Sequence, residues 1–87
     1  MLKQGLHFPL WQQVILIILD ENEYQHSISY KLKVNYSHTL TVINELIKKE
    51  LINKEKDENN LRKSLISLTK KGKKVQEYLR EIKDIIN

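Results

Sequence analysis

Hydrophobic and polar residues alternate along the chain in blocks that predict four helices and one β-hairpin. From Pro9 to Leu19 apolar residues recur at helical spacing, and proline suits the first turn of a helix, so residues 9–21 are predicted to form helix 1. Leu16 and Ile17 occupy the side that would be polar in a one-faced amphipathic helix. Helix 1 is therefore either the central helix of the fold or a helix whose second face contacts another subunit.

Residues 27–49 predict two further helices in close succession. A short extended segment, Tyr24-Gln25-His26, comes first, and Ser27 suits the N-cap of a short helix. A break in the apolar pattern ends that helix, and Asn35 or Ser37 then caps a longer helix that runs to about Lys49. Two helices joined by so short a connection are typical of a helix-turn-helix.

The longer of these helices has one apolar face and one polar face. With about 100° of rotation per residue, the arc predicted to be buried contains Tyr36, Thr39, Leu40, Val42, Ile43, Leu46 and Ile47. The opposite pole contains Ser37, Thr41, Asn44 and Lys48, with Glu45 and His38 on its flank. Most of these polar side chains are neutral donors and acceptors, the groups that read base edges in a major groove. Tyr36, at the edge of the buried arc, suits core packing and phosphate contact equally well.

A hairpin and a final helix complete the predicted order of elements. Residues 51–68 contain two segments with apolar residues around a polar, Asn-rich turn, which favours a hairpin. Thr69 then caps a helix over residues 70–87. The apolar stripe of this helix, over about two heptads, contains Val75, Tyr78, Leu79, Ile82, Ile85 and Ile86.

The apolar stripe of the final helix extends beyond the part that a small domain needs to close its core. Burying side chains of this size stabilises by about 1.5–3 kcal/mol each. We therefore predict a homodimer interface formed by this stripe with help from helix 1, where Trp11 is a candidate contact. Trp11 suits apolar packing better than base stacking, and the alternative for the final helix is that it folds back onto its own domain.

Length and composition are those of one small domain. The 87 residues leave no room for a second domain, and the absence of cysteine excludes disulfides, thiolate metal sites and a cysteine nucleophile. The longest apolar run, from Val14 to Leu19, is too short to cross a bilayer. The first residues lack the features of a secretion signal, so a cytoplasmic protein is expected.

Positive charge is concentrated in one part of the chain. The net charge is +4, yet residues 48–74 alone contain ten basic and four acidic residues, a net +6. Such a basic segment indicates a polyanionic partner, although a solvated lysine-rich surface would give the same pattern.

Catalytic and metal-binding chemistry finds no support in the sequence. His7, His26 and His38 have neither metal-ligand spacing nor a nearby acidic cluster. Glu21, Glu23, Glu77 and Glu81 are predicted to lie at exposed helix ends and helix surfaces, with no polar cluster or deep cleft that would suit acid-base catalysis. We therefore expect no metal, no cofactor and no enzymatic activity.

Two helices joined by a tight turn and followed by a basic hairpin form the order of a winged helix-turn-helix. At these residues the chain resembles the MarR-like winged-helix transcription regulators. The segment LKVNYSHTLTVINELIKKELI (residues 32–52) is similar to their turn and recognition helix. The segment DENNLRKSLISLTKKG (residues 57–72) is similar to their wing, with its closing Leu-Thr-x-x-Gly pattern ending at Gly72.

The resemblance implies a mainly α fold with a small β-hairpin, a C-terminal dimerisation helix and double-stranded DNA as partner. It places Arg62 where the family has the wing arginine that enters the minor groove, and it makes Ser37, His38, Thr41 and Asn44 groove-facing. The chain departs from the family at two points: Glu50 replaces a glycine, and the wing tip has Asn60 and a single arginine. The longer dimerisation region of full-length members, which often holds a small-molecule pocket, lies outside the match, so no effector is assigned.

The sequence thus predicts a dimeric, sequence-specific regulator that binds a palindromic DNA site. The predicted DNA contacts are Tyr36, Ser37, His38, Thr41, Asn44, Lys48, Lys54, Lys56, Arg62 and Lys63. The alternatives are a winged helix used as a protein-protein adaptor and a sequence-independent, chromatin-like DNA-binding protein.

Overall fold

The computed structural model describes residues 9–86, so His7 and Asn87 lie outside the described range. In chain order the elements are α1 (Leu10–Ile18), β1 (Glu23–Tyr24), α2 (Gln25–Leu32), α3 (Tyr36–Lys48), β2 (Ile52–Asp57), β3 (Asn60–Leu68) and α4 (Lys70–Ile86). None of the helices in this range is long and apolar enough to cross a membrane.

The hydrophobic core lies where α1, α2 and α3 pack against the base of the hairpin. Its buried members are Ile15, Leu16, Leu19, Ile28, Val42, Ile43, Leu46, Leu51, Ile52 and Ile66. Val75 and Leu79 of α4 pack against this core while remaining partly accessible. Of the two roles left open for helix 1, the central position agrees with this arrangement, because Ile15 and Leu16 have almost no exposed surface.

The sheet has three antiparallel strands in the order β1-β3-β2. Strand β3 pairs with β2 over the hairpin and with β1 through Tyr24 opposite Leu65. A bulge between Lys56 and Asp57 shifts the register near the turn. The sequence predicted the hairpin and a short extended segment at residues 24–26. Tyr24 does lie in a strand, but Gln25 and His26 belong to α2, because the strand extends only as far as its pairing with β3.

Ser29 and Val34 close the turn between α2 and α3. The Ser29 carbonyl accepts a hydrogen bond from the Val34 N–H at 3.4 Å, and the Ser29 hydroxyl donates to the Val34 carbonyl at 2.8 Å. Lys33, between them, adopts the left-handed conformation with φ 57°. The prediction that Ser27 caps α2 is wrong, because α2 begins at Gln25 directly after the extended residue that ends β1.

Helix α3 begins and ends with defined caps. Asn35, one of the two predicted caps, accepts the His38 N–H on its side-chain oxygen at 2.8 Å. At the other end, the Leu51 N–H donates to the Leu46 carbonyl at 3.0 Å, a hydrogen bond typical of a Schellman motif. Glu50 adopts φ 61° there, a left-handed conformation in which glycine has no steric cost. This agrees with the glycine that the resemblance implies at this position.

Helix α4 starts in tight contact with the end of α3. The Thr69 hydroxyl caps α4 as predicted, accepting the Gly72 N–H at 2.9 Å, and it donates to the Glu50 carbonyl at 2.7 Å. The Thr69 N–H donates to the Leu51 carbonyl at 3.1 Å. A Cβ on Gly72 would lie 1.9 Å from that same carbonyl oxygen, so only glycine fits this contact.

Helix α1 is shorter than predicted, and α4 caps its C-terminal end. It ends at Ile18 rather than near residue 21. The buried Gln76 amide donates to the carbonyls of Leu16 and Leu19 at 2.6 and 2.5 Å, and Arg80 donates to the Ile17 carbonyl at 2.7 Å. These bonds satisfy carbonyl groups that a helix end leaves unpaired.

The architecture confirms the predicted fold class. Four helices and a small three-stranded sheet in residues 9–86 form a winged helix-turn-helix, with α2 and α3 as the two-helix unit and β2–β3 as the wing.

Candidate nucleic-acid interface

The face of α3 opposite the core presents a row of polar side chains. Ser37, Thr41, Asn44 and Lys48 are all exposed, whereas Thr39, Val42, Ile43 and Leu46 on the other side are buried. The Thr41 hydroxyl donates to the Ser37 carbonyl at 3.1 Å, so it offers its methyl group and an acceptor lone pair rather than a donor. The face therefore combines an amide, hydroxyl groups and one cation.

Two side chains at the N-terminal end of α3 are held by other helices. Tyr36 is 47% exposed, and its hydroxyl accepts a 2.8 Å hydrogen bond from Gln25 of α2. His38 is half-buried, with its ring edge-on to Trp11 of α1 at a centroid distance of 5.2 Å. His38 thus lies between the polar face and α1, and Tyr36 lies outside the arc in which the sequence placed it.

A polar network joins α1 to the C-terminal half of α3. The amide nitrogen of Gln12 donates to Glu45 at 3.1 Å, and its amide oxygen accepts from the Lys49 ammonium at 2.6 Å. Gln12 is only 3% exposed, so this network fixes the orientation of α3 from within the domain. Local sequence patterns carry no signal for it, because the partners are more than thirty residues apart.

The wing carries the other predicted cationic contacts. Lys54, Lys56 and Arg62 are exposed, and the Arg62 N–H donates to the Asn60 side-chain oxygen at 3.1 Å. Asn60 therefore organises the backbone at the wing tip, where the family usually has an aspartate. Lys63 is half-buried, and its ammonium lies 4.9 Å from the centre of the Tyr24 ring.

Tyr24 and Asp57 tie the wing to the body of the domain. The Tyr24 hydroxyl donates to Asp57 at 2.7 Å. This hydrogen bond, followed by burial and by the charge of Asp57, raises the pKa of Tyr24 above its usual 10.0. The same bond, followed by the Asn59 N–H, lowers the pKa of the Asp57 carboxyl below 3.8. The pair therefore stays as a neutral phenol and a carboxylate over a wide pH range.

An open groove of about 810 Å³ separates the wing from the start of α4. Lys54 and Lys56 line it from β2, and Lys70 and Lys71 line it from α4, with Glu50 between the two elements. The structure thus brings the first two wing lysines together with α4, on a different side from Lys63, which packs on Tyr24.

A family comparison places this arrangement among known proteins. The family model described as "Winged helix-turn-helix" matches residues 11–87. The chain belongs to the winged helix-turn-helix family.

Solved structures share the winged-helix fold and confirm the MarR-like resemblance. The MarR protein from Peptoclostridium difficile has a TM-score of 0.84 at 25% identity, over 93% of this chain and 54% of that chain. FabT from Streptococcus pneumoniae in complex with DNA has a TM-score of 0.85 at 18% identity, over 92% and 57% of the two chains. A mutant of MepR from S. aureus bound to an oligodeoxyribonucleotide has a TM-score of 0.83 at 23% identity, over 95% and 63%.

The winged-helix chain therefore spans between 54% and 63% of the length of these three solved proteins. No curated protein sequence matches it significantly. Within residues 9–86, no group of three or more His, Cys, Asp or Glu side chains is placed to hold a metal ion.

The predicted dimer residues whose side chains the structure describes fall into two groups; Ile86 lies outside that set. Val75 and Leu79 are half-buried against the core, so the first half of the stripe closes the domain. Tyr78, Ile82 and Ile85 are exposed, and Trp11 of α1 is 36% exposed. The first half of α4 thus packs on its own domain, and the second half leaves apolar side chains exposed. The dimer interface stays a prediction.

Proposed function

We propose that this winged-helix chain binds double-stranded DNA sequence-specifically as a homodimer and regulates transcription by occupying a palindromic site. The observation that carries the proposal is the exposed polar row of α3, defined by Ser37, Thr41, Asn44 and Lys48, on the same domain as a cationic wing. The solved structures of FabT and MepR with DNA support it, since they share this fold.

The polar row has the chemistry needed to read bases. An α-helix fits the major groove, where each base pair presents a distinct pattern of donors and acceptors. The Asn44 carboxamide can both donate to and accept from an adenine edge, and Lys48 can approach guanine acceptors or a phosphate. Asn44 is therefore the residue to which we assign base selectivity.

The wing supplies contacts that do not depend on sequence. In the proposed complex, Arg62 enters the minor groove beside the major groove occupied by α3, and the wing lysines contact phosphates. Each phosphate neutralised releases condensed counterions, so these contacts strengthen binding to any duplex and make it dependent on salt. Affinity is assigned mainly to the wing and selectivity to α3.

A homodimer follows from the exposed half of the stripe on α4. Tyr78, Ile82 and Ile85 present apolar surface along one side of the helix, and a second copy would bury the same residues in a two-fold interface. Two recognition helices about 34 Å apart would then read the two halves of a palindrome on one face of the duplex. Occupancy of that site blocks or recruits the transcription machinery.

Selection of bound sequences from a pool of random duplexes tests the proposal. We expect a palindromic consensus, and a salt titration should give an excess of about 10³ or more for the selected duplex over a random one. Equal binding of both duplexes would instead identify a chromatin-like protein, and no binding would favour a protein-protein adaptor. Lys83→Ala, a charge removal on the far half of α4, serves as the control that should change neither result.

A further inference from the structure

Gln25, the first residue of α2, has a buried side-chain amide whose oxygen lacks a hydrogen bond. Gln25 is 5% exposed. Its side-chain nitrogen donates to the Tyr36 hydroxyl at 2.8 Å, while its buried side-chain oxygen has no hydrogen-bond partner in the described part of the chain. The side chain therefore makes one specific polar contact, and that contact is directed at the recognition helix.

An apolar side chain of similar length would fill the same space without burying an unpaired polar atom. An unpaired buried acceptor is destabilising, whereas a methionine at the same place would leave no polar atom unpaired. Core packing therefore does not explain why residue 25 is a glutamine. What the amide does determine is the direction of the hydrogen bonds made by Tyr36.

The Tyr36 hydroxyl has one acceptor site occupied and its own proton available. Because Gln25 donates to the phenolic oxygen, the O–H of Tyr36 is not needed for that bond and can donate to a further acceptor. Tyr36 is the first residue of α3 and is 47% exposed. Tyrosine hydroxyl groups beside a recognition helix commonly contact phosphate oxygens, which accept hydrogen bonds and fix the register of the helix in the groove.

We propose that Gln25 is a positioning residue that holds the Tyr36 hydroxyl as a donor to a DNA phosphate at the edge of the groove entered by α3. The inference rests on the DNA binding proposed above and adds a residue outside the recognition helix and the wing. Since the contact is to a phosphate, it strengthens binding without selecting a base. Its role is to fix where α3 sits along the duplex.

A double-mutant cycle tests the coupling on the selected duplex. For each half-site of the dimer's duplex, Tyr36→Phe should weaken binding about tenfold, the effect of losing one hydrogen bond to a charged group. Gln25→Met should weaken binding about fivefold alone and less than about twofold in the Tyr36→Phe background, because its effect is transmitted through the hydroxyl. Gln12→Met, the same change at a buried glutamine that does not touch Tyr36, should have equal effects in both backgrounds.

The phosphate itself is located by replacing single phosphates with neutral methylphosphonates. At one position per half-site the modification should weaken binding of the wild type, and Tyr36→Phe should then add no further loss. A change in the stability of the fold would not produce this position-specific result. Urea unfolding of each variant confirms that it is folded, and Gln25→Leu enters the same cycle if Gln25→Met does not fold.

The outcomes separate this inference from the function on which it rests. A wild-type chain that enriches no duplex overturns both. If the wild type binds but Gln25→Met weakens binding equally with and without the Tyr36 hydroxyl, or leaves binding unchanged, the assignment of Gln25 is overturned and DNA binding stands. If no methylphosphonate position removes the effect of Tyr36→Phe, the phosphate contact is overturned.

Discussion

The hydroxyl of Tyr24 donates a 2.7 Å hydrogen bond to Asp57, which joins the shortest strand of the sheet to the end of β2. The other oxygen of the Asp57 carboxylate accepts the Asn59 N–H at 3.0 Å, inside the turn of the wing. Lys63 lies over the Tyr24 ring. The Asp57 carboxylate therefore both stabilises the turn of the wing and links the wing to β1.

This link should make the stability gained from Tyr24 depend on pH. The folded pKa of Asp57 is lowered, so its contribution is present above the usual value of 3.8 and is lost as the pH falls through the lowered value. The folded pKa of Tyr24 is raised, so its contribution is present below 10.0 and is lost as the pH rises through the raised value. Tyr24→Phe should therefore lower the melting temperature near neutral pH and have less effect at either extreme.

Thermal unfolding of the wild type and Tyr24→Phe across this pH range checks the prediction. Tyr30→Phe makes the same change at a tyrosine that is 85% exposed, and it should leave the melting temperature unchanged throughout. A difference between wild type and Tyr24→Phe that persists unchanged in strong acid would contradict the role of the Asp57 carboxylate.

Replacing Glu50 with glycine should stabilise the domain. A side chain in the left-handed region costs about 1–2 kcal/mol, and glycine avoids that strain while losing about 0.5–1 kcal/mol of chain entropy. We expect a net gain of roughly 0.5–1 kcal/mol in the free energy of unfolding, measured by urea titration. Lys48→Gly, two residues earlier and within α3, should destabilise by about 0.5–1 kcal/mol, and equal effects of the two changes would refute the explanation.

Asn44 and Lys48 should affect DNA binding in different ways. Asn44→Ala should cost about 1–3 kcal/mol on the selected duplex and relax the preference at one base position, because alanine cannot make the bidentate hydrogen bonds to a base. Lys48→Ala should weaken all duplexes alike. Repeating the selection with each variant gives the comparison, and an unchanged consensus and affinity for Asn44→Ala would mean that this face does not read the site.

The wing cations should be visible in the salt dependence of binding. Replacing Arg62 and Lys63 together with alanine should reduce the slope of log K against log salt by about 0.9 for each phosphate that is no longer neutralised, or about two to four units for a dimer. Circular dichroism should report an intact fold. The single change Lys83→Ala, which removes one positive charge outside the wing, should leave the slope unchanged. A slope that does not respond to the wing variant would assign the hairpin to a protein partner.

The exposed apolar residues of α4 should hold two copies of the chain together. Replacing Ile82 and Ile85 with aspartate should give a folded monomer, because both side chains are exposed in the single domain. DNA affinity should then fall sharply, since one half-site offers half the contacts. Light scattering over a concentration series measures the molar mass and so distinguishes monomer from dimer. Lys83→Asp, between them on α4, should remain dimeric, and a wild-type monomer at tens of micromolar would refute the interface.

The periodic parts of the fold could be predicted from the sequence. The polar row of α3, the Thr69 cap and the hairpin all follow from local spacing, so they required no knowledge of distant residues. The predicted start of α2 at Ser27 is wrong, because the extended conformation of Tyr24 comes from pairing with β3 and outweighs the capping preference of serine.

Contacts between distant segments could not be predicted in the same way. The bond from Gln25 to Tyr36 and the bond from Tyr24 to Asp57 depend on how separate elements pack, and neither spacing nor composition encodes them. Rotation angle alone puts Tyr36 on the edge of the buried arc, whereas its position at the first turn leaves it beyond the core. The spacing around Gly72 likewise gives no sign that the Leu51 carbonyl approaches its backbone.

The end of α3, the start of the wing and the first turn of α4 pack closely around the Leu51 carbonyl. Thr69 is bonded to Glu50 and Leu51, and Gly72 brings the α4 backbone against the same carbonyl. If α4 tilts, α3 and the base of the wing must therefore move together with it. In a dimer joined through α4, we therefore expect the backbone contact at the Leu51 carbonyl to determine the distance between the two α3 helices, and so the spacing of the half-sites. No side chain that touches DNA would take part in this.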